Sequence, residues 1–180
     1  FKGSVETLLR ELRITNVKFE ACTDNASYHP GRCACVYAGE TLLGVFGQIH
    51  PLVAANYGVD SEIYTAELSF EAMYEMRGGI PVYQPLPKFP AVTRDIAVVC
   101  DETVTVGALE ESIRRGAKGL LREVSLFDIY RGPGVADGKK SVAFNLVLRA
   151  DDRSLTGDEA DEDVQSILAA LSADHGAVLR

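Results

Sequence analysis

The chain contains few cysteines and no long apolar run. Four cysteines among 180 residues are too few for the disulfide framework of a small secreted domain, so we expect buried, reduced thiols in a cytoplasmic protein. No stretch approaches the roughly 18 apolar residues of a membrane-spanning helix, and we expect neither a membrane span nor an export leader. The first residue is Phe1 rather than Met, which suggests a fragment of a longer protein.

Motifs for cofactors and catalysis are also missing. The sequence has no Walker loop, no GxGxxG and no HExxH, and Cys33 and Cys35 have no second cysteine pair beside them. We therefore expect no cofactor and no metal in this chain. His29 and Arg32 lie close to Cys33 in a predicted turn, but a Cys–His nucleophile also needs a group that orients the base, and none is evident.

The overall excess of acidic residues hides a segregated charge pattern. The formal net charge of −8 argues against non-specific attraction to nucleic acid. Residues 112–149, however, hold eight basic and three acidic residues, whereas residues 151–163 hold seven acidic residues and one arginine. Part of the surface is therefore suited to contact phosphate groups.

A proline-rich segment divides the chain. Four of the seven prolines lie between residues 81 and 90. Each proline fixes its own φ, removes an amide donor and pushes the preceding residue toward extended geometry. We expect an extended linker at residues 78–87 that joins one domain at residues 1–77 to another at residues 88–180.

The first domain is predicted to be an antiparallel sheet with helices packed on it. Apolar residues from Val5 to Leu12 recur at helical spacing behind Ser4, which is a candidate N-cap. Alternating or β-rich runs predict strands, of which the second and third form a hairpin about Gly39-Glu40. The predicted strands are 17–21, 33–38, 41–49 and 63–68, and two further helices begin at Pro51 and Phe70.

The second domain is predicted to follow the order βαββαβ, with strands at residues 95–99, 120–130, 140–149 and 177–180. Thr105 caps the first helix, and Thr156 with Glu159 forms a capping box that opens the second. This order predicts a ferredoxin-like plait in which two helices cover one sheet face. The whole chain is therefore an α+β protein.

The residues that point to binding lie in the second domain. The open sheet face of such a plait can present aromatic rings to unpaired bases, with cations nearby for the phosphates. Tyr130 and Phe127 end a predicted strand, and Arg131, Lys139 and Lys140 flank the glycine-rich loop that follows. A spacing of three places the two rings on opposite faces of a regular strand, so we expect Tyr130 on the open face and Phe127 in the core. The same residues also fit a solvated basic rim around ordinary core aromatics.

The order of several motifs resembles the β subunits of bacterial phenylalanyl-tRNA synthetases. The motifs lie at residues 28–32, 44–51, 64–68, 88–97, 126–132, 138–143, 152–156 and 179–180. The resemblance implies that residues 1–77 are the last part of a non-catalytic, class II synthetase-like core, which pairs with a catalytic α subunit. It implies that residues 88–180 are a ferredoxin-fold anticodon-binding domain.

The resemblance also implies a role for this chain within a larger enzyme. That enzyme joins phenylalanine to tRNA(Phe) with ATP and magnesium, as an (αβ)2 assembly whose active site lies in α. The fragment itself is then not an enzyme; it binds tRNA and positions it. By the same resemblance Tyr130 meets the anticodon, Lys139 and Lys140 lie near phosphates, and Arg94 contacts the RNA, although a salt bridge from Arg94 to Asp95 or Asp128 explains that arginine equally well.

Two other functions remain open at this stage. One is a small-molecule regulatory domain of ferredoxin-like fold that binds an amino acid between copies. The other is a purely structural assembly module without RNA contact. Heat on adding phenylalanine would favour the first, and subunit association without a salt-sensitive RNA interaction would favour the second.

Overall fold

The computed structural model describes all 180 residues, which form five helices and eight strands in two units, Phe1–Tyr83 and Gln84–Arg180. We call these the N-terminal unit and the C-terminal unit. Residues 77–91 contain no helix or strand and are mostly exposed. None of the helices combines the length and the apolar character needed to cross a bilayer.

The N-terminal unit is a four-stranded antiparallel meander, as the sequence predicts. Its strands lie side by side in chain order, and α1 and α3 pack their apolar residues against the sheet. The elements are α1 (Lys2–Glu11), β1 (Val17–Ala21), β2 (Tyr28–Ala38), β3 (Thr41–Ile49), α2 (Pro51–Asn56), β4 (Tyr64–Leu68) and α3 (Phe70–Met76).

Two local predictions in this unit are wrong. Helix α1 begins at Lys2 with Phe1 as its N-cap and no capping side chain, so Ser4 lies inside the helix. The burial of Val5 and Leu9 against the sheet fixes this helix in place of a cap. Strand β2 begins at Tyr28 rather than Cys33, because an irregular register between these two residues lets the predicted turn pair with β3.

The four cysteines are free thiols. Cys22, Cys33 and Cys100 are buried, and Cys35 is half-buried. Burial, together with the neighbouring Cys22, raises the pKa of Cys33 to about 11. The Cys33 thiol therefore stays protonated near neutral pH, and the buried cysteines pack as small apolar groups.

The C-terminal unit is a ferredoxin-like plait with all strand pairs antiparallel, which confirms the predicted fold class. The strand order in the sheet is β6-β7-β5-β8. Threonine side chains cap both helices, and the predicted capping box of Thr156 and Glu159 is present. The elements are β5 (Val92–Asp101), α4 (Val106–Gly116), β6 (Leu121–Tyr130), β7 (Lys139–Leu148), α5 (Gly157–His175) and β8 (Val178–Leu179).

Candidate nucleic-acid interface

One face of the sheet in the C-terminal unit is covered and the other is open. The covered face carries alternate residues of β5 and β7, which pack with apolar residues of α4 and α5 into one core. Fully buried members of this core are Val98, Leu109, Ile113, Val142, Phe144, Leu146, Ile167 and Leu171. The intervening residues of β5 and β7 point the other way, so the open face is the side that the helices leave free.

The centre of the open face is lined by small side chains. Ala97 lies opposite Ala143, and Val99 lies opposite Ser141, on the two inner strands. Ser141 and Ala143 are only 3% and 9% exposed, although both helices pack on the far side of the sheet. Side chains that extend from the outer strands must therefore cover this floor.

Tyr130 is one of these covering side chains. It ends β6 and lies opposite Ser141, so its ring is on the open face, as the sequence predicts. The hydroxyl donates a hydrogen bond to the Pro133 carbonyl oxygen at 3.2 Å. A Cβ atom on Gly132 would lie 2.7 Å from the Tyr130 hydroxyl oxygen, so only glycine leaves room for the ring in this position. The loop thus fixes the ring by its hydroxyl end and leaves the side chain only half-buried.

Two of the predicted cations, Arg131 and Lys139, lie at the same end of the sheet as Tyr130, but each already has a partner. Arg131 binds both carboxylate oxygens of Glu102 at 2.6–3.1 Å. These hydrogen bonds lower the pKa of Glu102 and raise that of Arg131. The Lys139 ammonium lies 2.7 Å from a carboxylate oxygen of Asp101. Asp101 at the end of β5 and Glu102 directly after it therefore neutralise much of the charge that the basic segment suggests.

Lys140 is not at the surface. It lies opposite Cys100 on the covered face, is 6% exposed, and donates to the Glu102 carbonyl oxygen at 2.9 Å. The strand alternation that places Lys139 on the open face turns its neighbour inward. The expectation that Lys140 faces a phosphate backbone does not fit this position.

Arg94 is also on the helix side of the sheet. Its Nε atom donates to Asp161 of α5 at 2.8 Å. The two partners considered from sequence, Asp95 and Asp128, are wrong, because Arg94 lies opposite Leu146 on the covered face and reaches the helix there. Asp95 instead accepts a hydrogen bond from Asn145 at 2.7 Å.

Phe127 is exposed rather than in the core, which corrects the expectation from a regular strand. The register shifts between Leu126, opposite Phe144, and Asp128, opposite Ala143, so Phe127 has no partner on β7. This is a β-bulge, which is common on edge strands such as β6 because it re-aims a side chain there. The Phe127 side chain is 59% exposed at the edge of the sheet.

A cation outside the predicted set, Arg180, also lies on the open face. The guanidinium carbon of Arg180 lies over the Tyr130 ring, 4.9 Å from its centroid. Alternation from Val178, which lies opposite Val99, could have assigned Arg180 to the open face. The contact between Arg180 and Tyr130 depends on the order of the strands and on the size of the side chains between them. A single segment of sequence reveals neither.

Other polar clusters serve the fold. Ser112 donates to Asp174 at 2.6 Å and lies 3.0 Å from Nε2 of His175. In a nucleophilic triad the acid orients the base by its other nitrogen, whereas here acid and base both contact the serine. Ser112 is 3% exposed, so this cluster fastens α5 to α4.

The motif around His29 has structural partners as well. His29 accepts a hydrogen bond from the Gly31 backbone at 3.1 Å, and Arg32 donates to Gln48 at 2.7 Å and to Glu62 at 3.1 Å. No group of three or more His, Cys, Asp or Glu side chains is arranged to hold a metal ion. The open face therefore remains the strongest candidate site.

Two family models match the chain, one for each unit. Residues 87–180 match the model described as the ferredoxin-fold anticodon binding domain. Residues 1–70 match the model described as the phenylalanyl tRNA synthetase beta chain CLM domain. The C-terminal unit is thus an anticodon-binding domain of ferredoxin fold.

Curated relatives specify the family further. Over 179 residues, 99% of the chain, the sequence is 44% identical to the phenylalanine–tRNA ligase beta subunit of Symbiobacterium thermophilum. The identity is 40% with that of Moorella thermoacetica and 38% with that of Bacillus subtilis, over the same length. The chain belongs to the phenylalanine–tRNA ligase beta-subunit family and spans about a fifth of the length of these relatives, 20–22%.

Proposed function

We propose that the C-terminal unit binds the anticodon stem-loop of tRNA(Phe) on its open sheet face, where the Tyr130 ring stacks on an unpaired base. The bound tRNA is thereby oriented so that its acceptor end reaches an active site in a separate α subunit. The site is one of binding and positioning, and its contribution to aminoacylation is the fixed geometry of the complex.

The main support for this proposal is the position of Tyr130 on the open face. An aromatic ring on the open face of a ferredoxin-like sheet is the usual platform for an unstacked base. The Pro133 carbonyl oxygen and the close approach of Gly132 hold this ring in place before any ligand arrives. A ring that is already ordered loses little conformational entropy on binding. Phe127, exposed at the edge of the same sheet, offers a second ring.

Catalysis and cofactor binding belong, in this proposal, to other parts of the assembly. ATP and magnesium act in the α subunit, the complete enzyme is an (αβ)2 heterotetramer in the cytoplasm, and this chain takes part as an RNA-binding and assembly module. The similarity of the chain to phenylalanine–tRNA ligase beta subunits, and of residues 87–180 to an anticodon-binding domain, supports this division.

The N-terminal unit supplies the contact with the α subunit. Its helix α3 presents two aromatic residues to solvent, Phe70 at 75% and Tyr74 at 54% exposure, with ring centroids 6.2 Å apart. Large exposed apolar groups of this kind support a protein–protein interface. Replacing both by serine should prevent co-purification with the α subunit, while the unchanged fold is checked by circular dichroism.

A titration with a tRNA(Phe) anticodon hairpin tests RNA binding. Loss of one base–aromatic stack costs about 1–3 kcal/mol, so Tyr130→Ala should weaken binding about five- to hundredfold. Tyr57→Ala is the matched control, because Tyr57 is 83% exposed in the N-terminal unit. Equal affinities for Tyr130→Ala and the unaltered chain would remove Tyr130 from the site, and the absence of any binding would refute the proposed function.

A further inference from the structure

Arg180 and Tyr130 meet across the whole width of the sheet. Tyr130 is on β6 and Arg180 follows β8, which are the two outer strands of the order β6-β7-β5-β8. Their backbones are about 14 Å apart, because neighbouring strands are spaced by about 4.8 Å. The Arg180 guanidinium nevertheless lies 4.9 Å from the centre of the Tyr130 ring.

The floor between them explains how they can meet. The Arg180 backbone N–H donates to the Ala97 carbonyl oxygen at 2.8 Å, which fixes the start of the side chain beside β5. From there the side chain crosses the row formed by Ala97 and Ala143, whose methyl groups are too short to block it. The low exposure of Ser141 and Ala143 agrees with a cover made of these two long side chains.

Arg180 also differs from the other cations near Tyr130 in its partner. Arg131 and Lys139 form salt bridges with Glu102 and Asp101. The Arg180 guanidinium forms no salt bridge and interacts with the Tyr130 ring. Its positive charge is therefore not compensated by a salt bridge, and an arginine fork binds phosphate oxygens well.

We propose that Arg180 is an RNA-contacting residue: it covers the Tyr130 ring in the free protein and moves to a backbone phosphate when an unpaired base stacks there. This inference rests on the proposed function of the open face and adds the residue that supplies its phosphate contact. A guanidinium over a ring is held by only about 0.5–1 kcal/mol at an exposed site, so an arriving nucleotide can displace it.

Salt-dependent titration of the 180-residue chain with the anticodon hairpin tests this role. Arg180→Gln should weaken binding about tenfold, the loss of one hydrogen bond to a charged group. The slope of log K against log salt should also fall by about 0.7, the value for one phosphate contact on a single strand. Arg180→Lys should retain the slope, because it keeps the charge.

Arg114→Gln is the matched control, because this substitution removes the same charge at a distance from the site. Arg114 is exposed on α4, the helix that packs against the covered face. A slope unchanged in Arg180→Gln, or reduced equally in Arg114→Gln, would overturn the inference. If Tyr130→Ala still weakened binding in that case, the proposed function would stand without Arg180. If no protein bound the hairpin, both would fail together.

Discussion

Arg131 and Glu102 form a fork-to-fork ion pair at the end of the sheet where Tyr130 lies. The Arg131 Nε atom is within 3.1 Å of both Glu102 carboxylate oxygens, and Nη2 is 2.6 Å from one of them. Two planar groups joined in this way hold one another in a fixed orientation. The pair therefore positions the loop that begins at Arg131. Because the salt bridge occupies the Arg131 guanidinium, this group is not available to bind an RNA phosphate.

Releasing Arg131 should strengthen RNA binding. In Glu102→Gln the carboxylate is lost, and the freed guanidinium gains access to the phosphate backbone beside Tyr130. Because an exposed ion pair is worth at most about 1 kcal/mol, we expect a gain in hairpin affinity of up to about fivefold. Glu111→Gln, on the exposed surface of α4, makes the same charge change away from the site. An equal gain in both variants, measured by titration, would mean that only net charge matters.

Crowding the Tyr130 ring should weaken RNA binding without unfolding the protein. In Gly132→Ala the new methyl group would lie 2.7 Å from the Tyr130 hydroxyl oxygen, so the ring must move from its present position. We expect a loss of about fivefold in hairpin affinity, near the lower end of the cost of one base stack. The control is Gly107→Ala on α4, where no atom lies within 4 Å of the new group. Wild-type affinity in Gly132→Ala would show that the ring orientation is not used.

The predictions that succeeded rest on local chemistry. The threonine caps and the βαββαβ order follow from the residues of short segments, and the structure reproduces them. Those that failed depend on partners distant in the chain. The acidic partners of Arg131, Lys139 and Arg94 come from other elements of the fold. The bulge at Phe127 arises from the pairing of β6 with β7. No local pattern in the sequence encodes these contacts.

The bulge at Phe127 leads to a prediction about stability. Phe127 is 59% exposed, whereas Phe144 on β7 is fully buried. Phe144→Ala should lower the free energy of unfolding by about 3–5 kcal/mol, because it leaves a cavity in the core. Phe127→Ala should change it by no more than about 0.5 kcal/mol, as at other surface sites. Urea denaturation of both variants measures this difference, and similar losses would place Phe127 in the core after all.

The capping box of α5 should make stability depend on pH in the acid range. The backbone of Thr156, and then the Arg153 side chain, lower the pKa of Glu159 from 4.5 to about 2. A carboxyl group whose pKa is lower in the folded state stabilises the fold above about pH 4.5, and this contribution disappears as the pH falls toward 2.

Thermal unfolding at a series of pH values tests this dependence. The midpoint of the unaltered chain should fall more steeply between pH 4.5 and 2 than that of Glu159→Gln, which cannot ionise. Glu162→Gln, exposed on the same helix, should follow the unaltered chain. Parallel curves for the Glu159→Gln variant and the unaltered chain would show that the capping carboxylate does not contribute in this range.

The most direct test of RNA binding on the open face is a map of backbone amide chemical shifts. The ¹⁵N-labelled chain is titrated with the tRNA(Phe) anticodon hairpin, and the shifts are followed residue by residue. We predict the largest changes at Tyr130, Ser141, Ala143 and Arg180, with little change along α4 and α5. Changes confined to the helices, or to residues 1–83, would contradict the assignment of this face to the RNA.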